Sequence, residues 1–305
     1  MQVDPGSYAG EWRAAGASYA SGKRTVDLPT GTTSMTVGGV GSFAVSVSAS
    51  GTVSVPNGVS AVGGAGTLTF NTVSVAVDPA AFGGEWRVDR GVPGRFVVGP
   101  QTAIFVPGVS FSILAGGAVT FSFVADTSGS LVIHNGISAT STPGTLTFNT
   151  VSVAVDPAAF GGQWRVDRGV PGSFVVGPQT AIFVPGVRFG ILAGDAGSFS
   201  IVVDGFGNTS ADNGVSALGG ANTLTFNTSA ITIDPGGFAG TWHISRATSD
   251  TAGIQTVQLV PAVAFQLGAP GLGSQFITVA LQRHAGRLHA RRVRLHGELR
   301  LHRRG

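Results

Sequence analysis

Four aromatic pairs are the residues of this sequence best suited to recognising a ligand. In each pair a tyrosine or phenylalanine stands four residues before a tryptophan, within DPGSYAGEWR, DPAAFGGEWR, DPAAFGGQWR and DPGGFAGTWH. Exposed rings of this kind can stack on sugars, whereas a buried tryptophan removes about 150–250 Å² from water and anchors a core. The core role is favoured, because each repeat has few other large residues, and a ligand platform is the alternative. The pairs are Tyr8 and Trp12, Phe82 and Trp86, Phe160 and Trp164, and Phe238 and Trp242.

Titratable residues form no pattern that predicts catalysis. A serine-type hydrolase needs a histidine base in contact with a nucleophile and an orienting acid. His134 and His243 do not recur at equivalent positions of the repeats, so surface roles are expected for both. Glu11 is replaced by Gln163 in a later copy of its segment, which argues against a general acid common to all copies. We therefore expect a non-enzymatic protein without catalytic residues.

Asp126 and Asp204 occupy equivalent turn sequences and come closest to a calcium site. Calcium takes six to eight oxygen ligands, whereas the acids of this chain are spread singly. An aspartate that caps its own turn is therefore the favoured interpretation. The glycine-rich segments VGGVGS and AVGGAG lack the lysine and the strand–loop–helix context of a phosphate loop. The sequence predicts no metal and no cofactor.

Internal repeats determine how these residues are placed. TLTFNTVSVAVDPAAFGG occurs at 67–84 and again at 145–162, and the four tryptophans lie 74, 78 and 78 residues apart. A fixed period of this kind indicates tandem structural units. We predict repeats at 1–76, 77–154 and 155–232, a partial repeat at 233–280, and a tail at 281–305.

Each repeat is predicted to consist of short β-strands. VSFSILAG and AVTFSFVAD alternate apolar and polar residues, as half-buried strands do. Asn-Gly pairs at 57–58, 135–136 and 213–214 predict two-residue hairpin turns, and Val-Pro-Gly predicts a turn between apolar strands. In TLTFNTVSVAVDP the apolar positions change parity at Asn-Thr, which predicts a bulge or a crossing between sheets.

The predicted fold is therefore all-β, with tandem repeats of a ~78-residue antiparallel β-sandwich-like module of six or seven strands. A continuous β-solenoid is the alternative, although its coils usually have shorter periods of about 20–30 residues.

The tail at 281–305 differs from everything before it. It holds eight arginines and one acid, so the +3 charge of the chain conceals a net charge of −4 over residues 1–280. With GC-rich codons, a one-base shift converts Leu-Gln-Arg-His-Ala-Gly into Ser-Ser-Gly-Thr-Leu, the turn and strand that the repeat requires next. We interpret the tail as a frameshift product. A nucleic-acid-binding arm and an amphipathic membrane helix are the alternatives.

Composition and repeats together are similar to those of bacterial surface repeat proteins in general. The expected function is a structural, adhesive or filament-forming role outside the cell or at its surface, and glycan binding through the repeated tryptophans is the alternative. Self-association and surface glycans are the expected partners; nucleic acid is expected only if the tail is genuine. No apolar run reaches the ~18 residues of a transmembrane helix, and no signal peptide is visible. Because the sequence opens inside the repeat pattern, an N-terminally truncated array is a further hypothesis.

Overall fold

The computed structural model describes residues 1–14, 16–117, 120–269, 273–284 and 287–296. Over these residues the chain is all-β and contains no helix. The strands group into small separate sheets, which confirms β-sandwich-like modules and rules out the continuous solenoid. Two compact units are present: unit 1 covers residues 1–150 and 184–187, and unit 2 covers residues 151–183 and 188–305.

Sheet membership divides the described residues into four modules, numbered along the chain. The strands of module 1 are β1 (Gln2–Asp4), β2 (Trp12–Ala14), β3 (Arg24–Thr25), β4 (Gly31–Val37), β5 (Gly41–Val47), β6 (Val53–Ser54), β7 (Ala61–Gly64) and β8 (Thr67–Phe70). Those of module 2 are β9 (Val73–Asp78), β10 (Trp86–Val88), β11 (Gln101–Phe105), β12 (Ser110–Ala115), β13 (Thr120–Ala125), β14 (Leu131–Ile133), β15 (Ala139–Thr142) and β16 (Thr145–Phe148).

Modules 3 and 4 repeat this order with small differences. The strands of module 3 are β17 (Val151–Asp156), β18 (Gln163–Val166), β19 (Val175–Val176), β20 (Gln179–Phe183), β21 (Arg188–Ala193), β22 (Gly197–Val203), β23 (Thr209–Ala211), β24 (Ala217–Gly220) and β25 (Thr223–Phe226). Those of module 4 are β26 (Ser229–Ile233), β27 (Thr241–Ile244), β28 (Thr251–Ala252), β29 (Gln255–Leu259), β30 (Ala264–Ala269), β31 (Gly273–His284) and β32 (Arg287–His296).

Module 2 shows how each sandwich is built. One sheet has the order β11-β9-β16-β15 and the other β10-β12-β13-β14. Their inner faces meet in an aromatic core, where Trp86 contacts Phe148 edge-on at 5.8 Å between ring centroids. Phe105 and Phe123, also from opposite sheets, lie 4.9 Å apart. Alternation of apolar and polar residues along the strands places these rings inside, as expected for packed sheets.

The first and last strands of a module run parallel, in sheets that are otherwise antiparallel. β1 pairs with β8, β9 with β16, and β17 with β25 in this way. A parallel pair needs a long connection, and here the connection is nearly the whole module. Sequence alternation carries no information on strand direction, so this pairing could not be predicted.

The parity change in TLTFNTVSVAVDP marks a crossing between sheets. β8 and β9 are separated by Asn71 and Thr72 and belong to different sheets, which confirms the prediction. Module 2 therefore begins at Val73, four residues before the predicted repeat boundary. Unit 2 likewise begins at Val151, four residues before the predicted start at 155.

The Asn-Gly pairs do not close two-residue hairpins. β6 and β7, which flank Asn57-Gly58, belong to different sheets of module 1. The amide of Gly58 donates to the carbonyl of Val55 at 3.0 Å, so the tight turn begins at Val55. The prediction was wrong because Asn-Gly also suits turns that connect two sheets.

The Val-Pro-Gly turns form as predicted between β11 and β12 and between β20 and β21. Gly108 and Gly186 take φ of 74° and 73°. Module 4 places Ala262 at this position with φ of 59°. A Cβ in this left-handed region costs about 1–2 kcal/mol.

Ala262→Gly is therefore expected to stabilise module 4 by up to about 1 kcal/mol, because relief of this strain exceeds the added freedom of glycine in the unfolded chain. The matched variant Gly108→Ala should destabilise module 2, since its Cβ would also lie 2.9 Å from the Val59 side chain. Urea denaturation of both variants measures the sign of each change in the free energy of unfolding. Changes of the same sign would contradict the strain argument.

The tail continues the last sheet of module 4. β32 pairs antiparallel with β31, and the register shifts between Ala280 and Leu281, where the sequence leaves the repeat pattern. The described part of the tail is thus strand, so the amphipathic-helix alternative was wrong for 287–296. The remaining predicted tail positions, 285–286 and 297–305, lie outside the described residues.

Candidate functional site at the joints between modules

The aromatic pairs singled out in the sequence lie inside the modules. Seven of the eight rings are at most 2% exposed, and Phe238 is half-buried. A ring must present a face to stack on a sugar, so this burial favours the core role. The buried rings are Tyr8, Trp12, Phe82, Trp86, Phe160, Trp164 and Trp242.

The Asp-Pro motif explains why the aromatic residue turns inward. The carboxylate of Asp78 accepts a hydrogen bond from the amide of Ala80 at 2.8 Å, and the amide of Phe82 donates to the carbonyl of Pro79. This short turn aims the Phe82 ring into the module. The same bonds recur at Asp4, Asp156 and Asp234.

Each tryptophan is fixed by its indole N–H as well as by packing. The Nε1 atoms of the four tryptophans donate to backbone carbonyls at 3.0 Å. A buried indole nitrogen needs such a partner, because an unpaired polar group is costly to bury. The acceptors are Gly22, Gly99, Gly177 and Gly253.

The surfaces that recur from copy to copy are the joints, the contacts between consecutive modules. In unit 1, Arg90 of module 2 reaches back to module 1, where its Nη1 lies 2.6 Å from the Oε2 of Glu11. The carbonyl of Arg90 accepts from the amide of Glu11 at 2.8 Å and from the hydroxyl of Tyr8 at 3.3 Å. Burial raises the pKa of the Tyr8 hydroxyl, so it remains a neutral donor.

Unit 2 contains the same joint with a different acceptor. Arg246 donates from Nη1 to the Oε1 of Gln163 at 2.7 Å, and its carbonyl accepts from the Gln163 amide. It also pairs with Asp195. The glutamate-to-glutamine replacement that argues against a shared general acid therefore preserves an acceptor for arginine. Sequence reasoning missed this role.

A glycine-rich hairpin brings two modules close together. The β4–β5 turn packs on module 2, where the amide of Gly39 donates to the carbonyl of Asp89 at 3.3 Å. A Cβ on Gly41 would lie 2.2 Å from the carbonyl oxygen of Ser110. In unit 2 a Cβ on Gly197 would lie 2.5 Å from the backbone of Ala264. The VGGVGS segment is thus a packing element, since only glycine permits this approach.

The Asn-Gly-x-Ser segments supply the buried polar part of the joint, which we call the serine clasp. The hydroxyl of Ser60 is fully buried and donates to the carbonyl of Pro107 in the next Val-Pro-Gly turn at 2.7 Å. It accepts from the side-chain amide of Asn57 at 2.8 Å. The same two bonds recur in the clasp of Ser138 with Pro185 and in that of Ser216 with Pro261. The clasp joins two repeated motifs that sequence reasoning treated as separate turns.

Ser60→Ala is expected to weaken the first joint by about 1–3 kcal/mol, because the Pro107 carbonyl and the Asn57 amide both lose a buried partner. Ser54 lies exposed on the neighbouring strand β6, and Ser54→Ala should change the free energy of unfolding by less than about 0.5 kcal/mol. Urea denaturation of the two variants provides the comparison. Equal stabilities would show that the clasp does not hold the joint.

A cleft of about 570 Å³ lies beside the first joint. Its charged lining is Glu11, Arg87, Asp89 and Arg90. These charges already pair with one another, Arg90 with Glu11 and Arg87 with Asp89. The cleft therefore presents no excess charge that would select a ligand of one sign.

The other residues considered for chemistry lie apart from one another. His134 is exposed, and the Nδ1 of His243 lies 2.9 Å from the carboxylate of Asp250. Asp126 caps its own turn by accepting from Ser128 and Ser130, and these bonds, led by that from the Ser128 hydroxyl, lower the pKa of its carboxyl. Asp204 caps the equivalent turn in module 3.

In the part of the chain that the structure describes, no three histidine, aspartate or glutamate side chains come together as a metal site. An apolar helix of membrane-spanning length is likewise not found among the described residues. No protein-family model matches this chain, and no curated protein matches it in sequence.

Proposed function

We propose that this protein is a non-enzymatic repeat protein of the cell exterior or cell surface, with a structural role as a spacer in which modules 1 and 2, and likewise modules 3 and 4, are held at fixed joints. The observation that carries the proposal is the serine clasp, a fully buried inter-repeat hydrogen bond present at three positions along the chain. A flexible linker would need neither buried hydroxyls nor a close glycine contact, because it leaves each module independent.

The sheet edges also support a role based on contacts within one chain. Gly63 on the edge strand β7 lies close to Val53 on β6, so close that a Cβ would meet the Val53 carbonyl at 2.1 Å. A bridge between Thr52 and Ala65 links the two sheets at this side. Edges that meet each other are poor templates for pairing with another chain. Filament formation through these edges is therefore the less favoured structural role.

Distance measurement across the first joint tests the proposal. The chain has no cysteine, so spin labels can be placed at Thr69→Cys in module 1 and Thr127→Cys in module 2, both exposed. A spacer with fixed joints gives one narrow distance distribution by pulsed electron resonance. The combined variant Gly41→Ala and Ser60→Ala should broaden it. A broad distribution in the unaltered chain would overturn the spacer role.

Two further measurements test the assembly and the location of this spacer. Analytical ultracentrifugation of the full chain at high concentration should show a monomer, because the joints form within one chain; concentration-dependent polymers would favour the filament role. Antibody labelling of intact cells of the source organism should detect the protein if it is exposed at the surface. Detection only after lysis would contradict that location.

A further inference from the structure

One backbone position distinguishes module 1 from the other modules. Four residues after the tryptophan, modules 2, 3 and 4 have Arg90, Arg168 and Arg246, with φ of 50°, 52° and 56°. A residue with a Cβ is strained there by about 1–2 kcal/mol. Module 1 has Gly16 at this position, with φ of 74° and no strain.

The strain is retained where the side chain holds a joint. Arg90 bonds to Glu11, and Arg246 bonds to Gln163, in both cases on the preceding module. Strained backbone of this kind persists where the surroundings require it, and it tends to mark functional positions. Gly16 has no side chain with which to reach a preceding module.

The face that meets a preceding module in modules 2 and 4 is also less apolar in module 1. Strand register aligns Thr33 of module 1 with Phe111 of module 2 and with Phe265 of module 4. Phe111 is buried, and its ring centroid lies 6.0 Å from that of Tyr8 in module 1. The ring centroids of Phe265 and of Phe160 in module 3 are 5.8 Å apart. Thr33 is half-buried and polar.

A neighbouring position follows the same pattern. Val109 of module 2 and Val263 of module 4 are at most 1% exposed, whereas the aligned residue of module 1 is a glycine, Gly31. Module 1 thus lacks apolar side chains at two positions of the face on which modules 2 and 4 receive a neighbour.

The opposite face of module 1 is unaltered. Its Ser60 clasp matches that of Ser216 in module 3, and its Gly38 contacts Phe111 as Gly194 contacts Phe265. The changes at Gly16, Gly31 and Thr33 therefore leave the hairpin and the serine clasp of the opposite face in place.

We propose that module 1 is a capping module. Its face containing Gly16, Gly31 and Thr33 is suited to solvent exposure and does not dock a module of this type. Repeat arrays need such polar terminal faces, because an uncovered docking face exposes apolar surface. The docking faces of modules 2 and 4 fit one kind of partner, the hairpin and serine clasp of a preceding module.

A chain with one added module tests the proposal. A second copy of residues 73–152 joined directly to residue 1 reproduces the spacing of the natural junctions. Spin labels in the added module and in module 1 should give a broad distance distribution, because the cap offers no docking face. A copy of residues 73–150 inserted after residue 150 provides the reference width of a docked pair.

The matched variant restores the docking face in the extended chain by Gly16→Arg, Gly31→Val and Thr33→Phe. It should narrow the distribution to the reference width. A narrow distribution with the native face would overturn the capping proposal. A distribution that stays broad after restoration would also overturn it, since these three residues would then not account for the difference.

Discussion

Replacing Trp86 with alanine is expected to lower the free energy of unfolding of module 2 by about 3–5 kcal/mol, the usual cost of truncating a buried tryptophan. The side chain is fully buried, contacts Phe148 edge-on, and donates to the carbonyl of Gly99. Alanine would leave a cavity and an unpaired carbonyl. Urea denaturation followed by circular dichroism measures the loss, and the fluorescence of the remaining tryptophans reports on the other modules.

Trp86→Phe separates the contribution of packing from that of the indole hydrogen bond. Phenylalanine fills part of the cavity but cannot donate to Gly99, so its loss of stability should be smaller than that of alanine and still measurable. The ligand-platform alternative makes the opposite prediction, with unchanged stability and lost retention on glycans. An unchanged denaturation midpoint in Trp86→Ala, together with lost retention on glycans, would therefore make this residue a binding residue rather than a core anchor.

Gly41→Ala is expected to disrupt the first joint at a cost of about 1–3 kcal/mol, the range for a methyl group forced into packed surroundings. Its Cβ would lie 2.2 Å from the carbonyl oxygen of Ser110 and 2.3 Å from the Val109 side chain. Hydrogen exchange of the Gly39 amide, which donates across the joint, should accelerate together with the loss of stability.

Two matched glycines give this prediction its control. Gly197→Ala should act similarly in unit 2, where its Cβ would meet the backbone of Ala264. Gly161→Ala adds the same methyl group in open space, and it should be neutral or stabilise by up to about 1 kcal/mol through the unfolded state. If Gly41→Ala behaved like Gly161→Ala, the modules would not be in close contact in solution.

Sequence patterns predicted the features that depend on local order. Alternation and repeat length predict an all-β series of modules, and Val-Pro-Gly predicts a turn because proline and glycine fix its dihedral angles. The parity change at Asn71-Thr72 locates the crossing between sheets, since one face of each strand must be buried.

Features that depend on distant partners could not be predicted in this way. Glu11 and Arg90 are 79 residues apart in a chain of near-identical copies, and nothing in local periodicity pairs them. Ser60 resembles any other turn serine until the Pro107 carbonyl is placed beside it. One signal was available: glutamate and glutamine replace each other at 11 and 163, which preserves a hydrogen-bond acceptor while removing the charge.

The parallel pairing of β9 with β16 determines how module 2 would respond to tension. The chain enters this module through β9 and leaves it through β16, and the two strands are joined from Ala76 and Thr145 to Asp78 and Thr147. A pull on the two ends would draw the strands past each other along their length. Their hydrogen bonds would then bear the force together, in shear, whereas the bonds of a hairpin pulled from its open end break one after another. Resistance of this kind is governed by the rate of unfolding rather than by equilibrium stability.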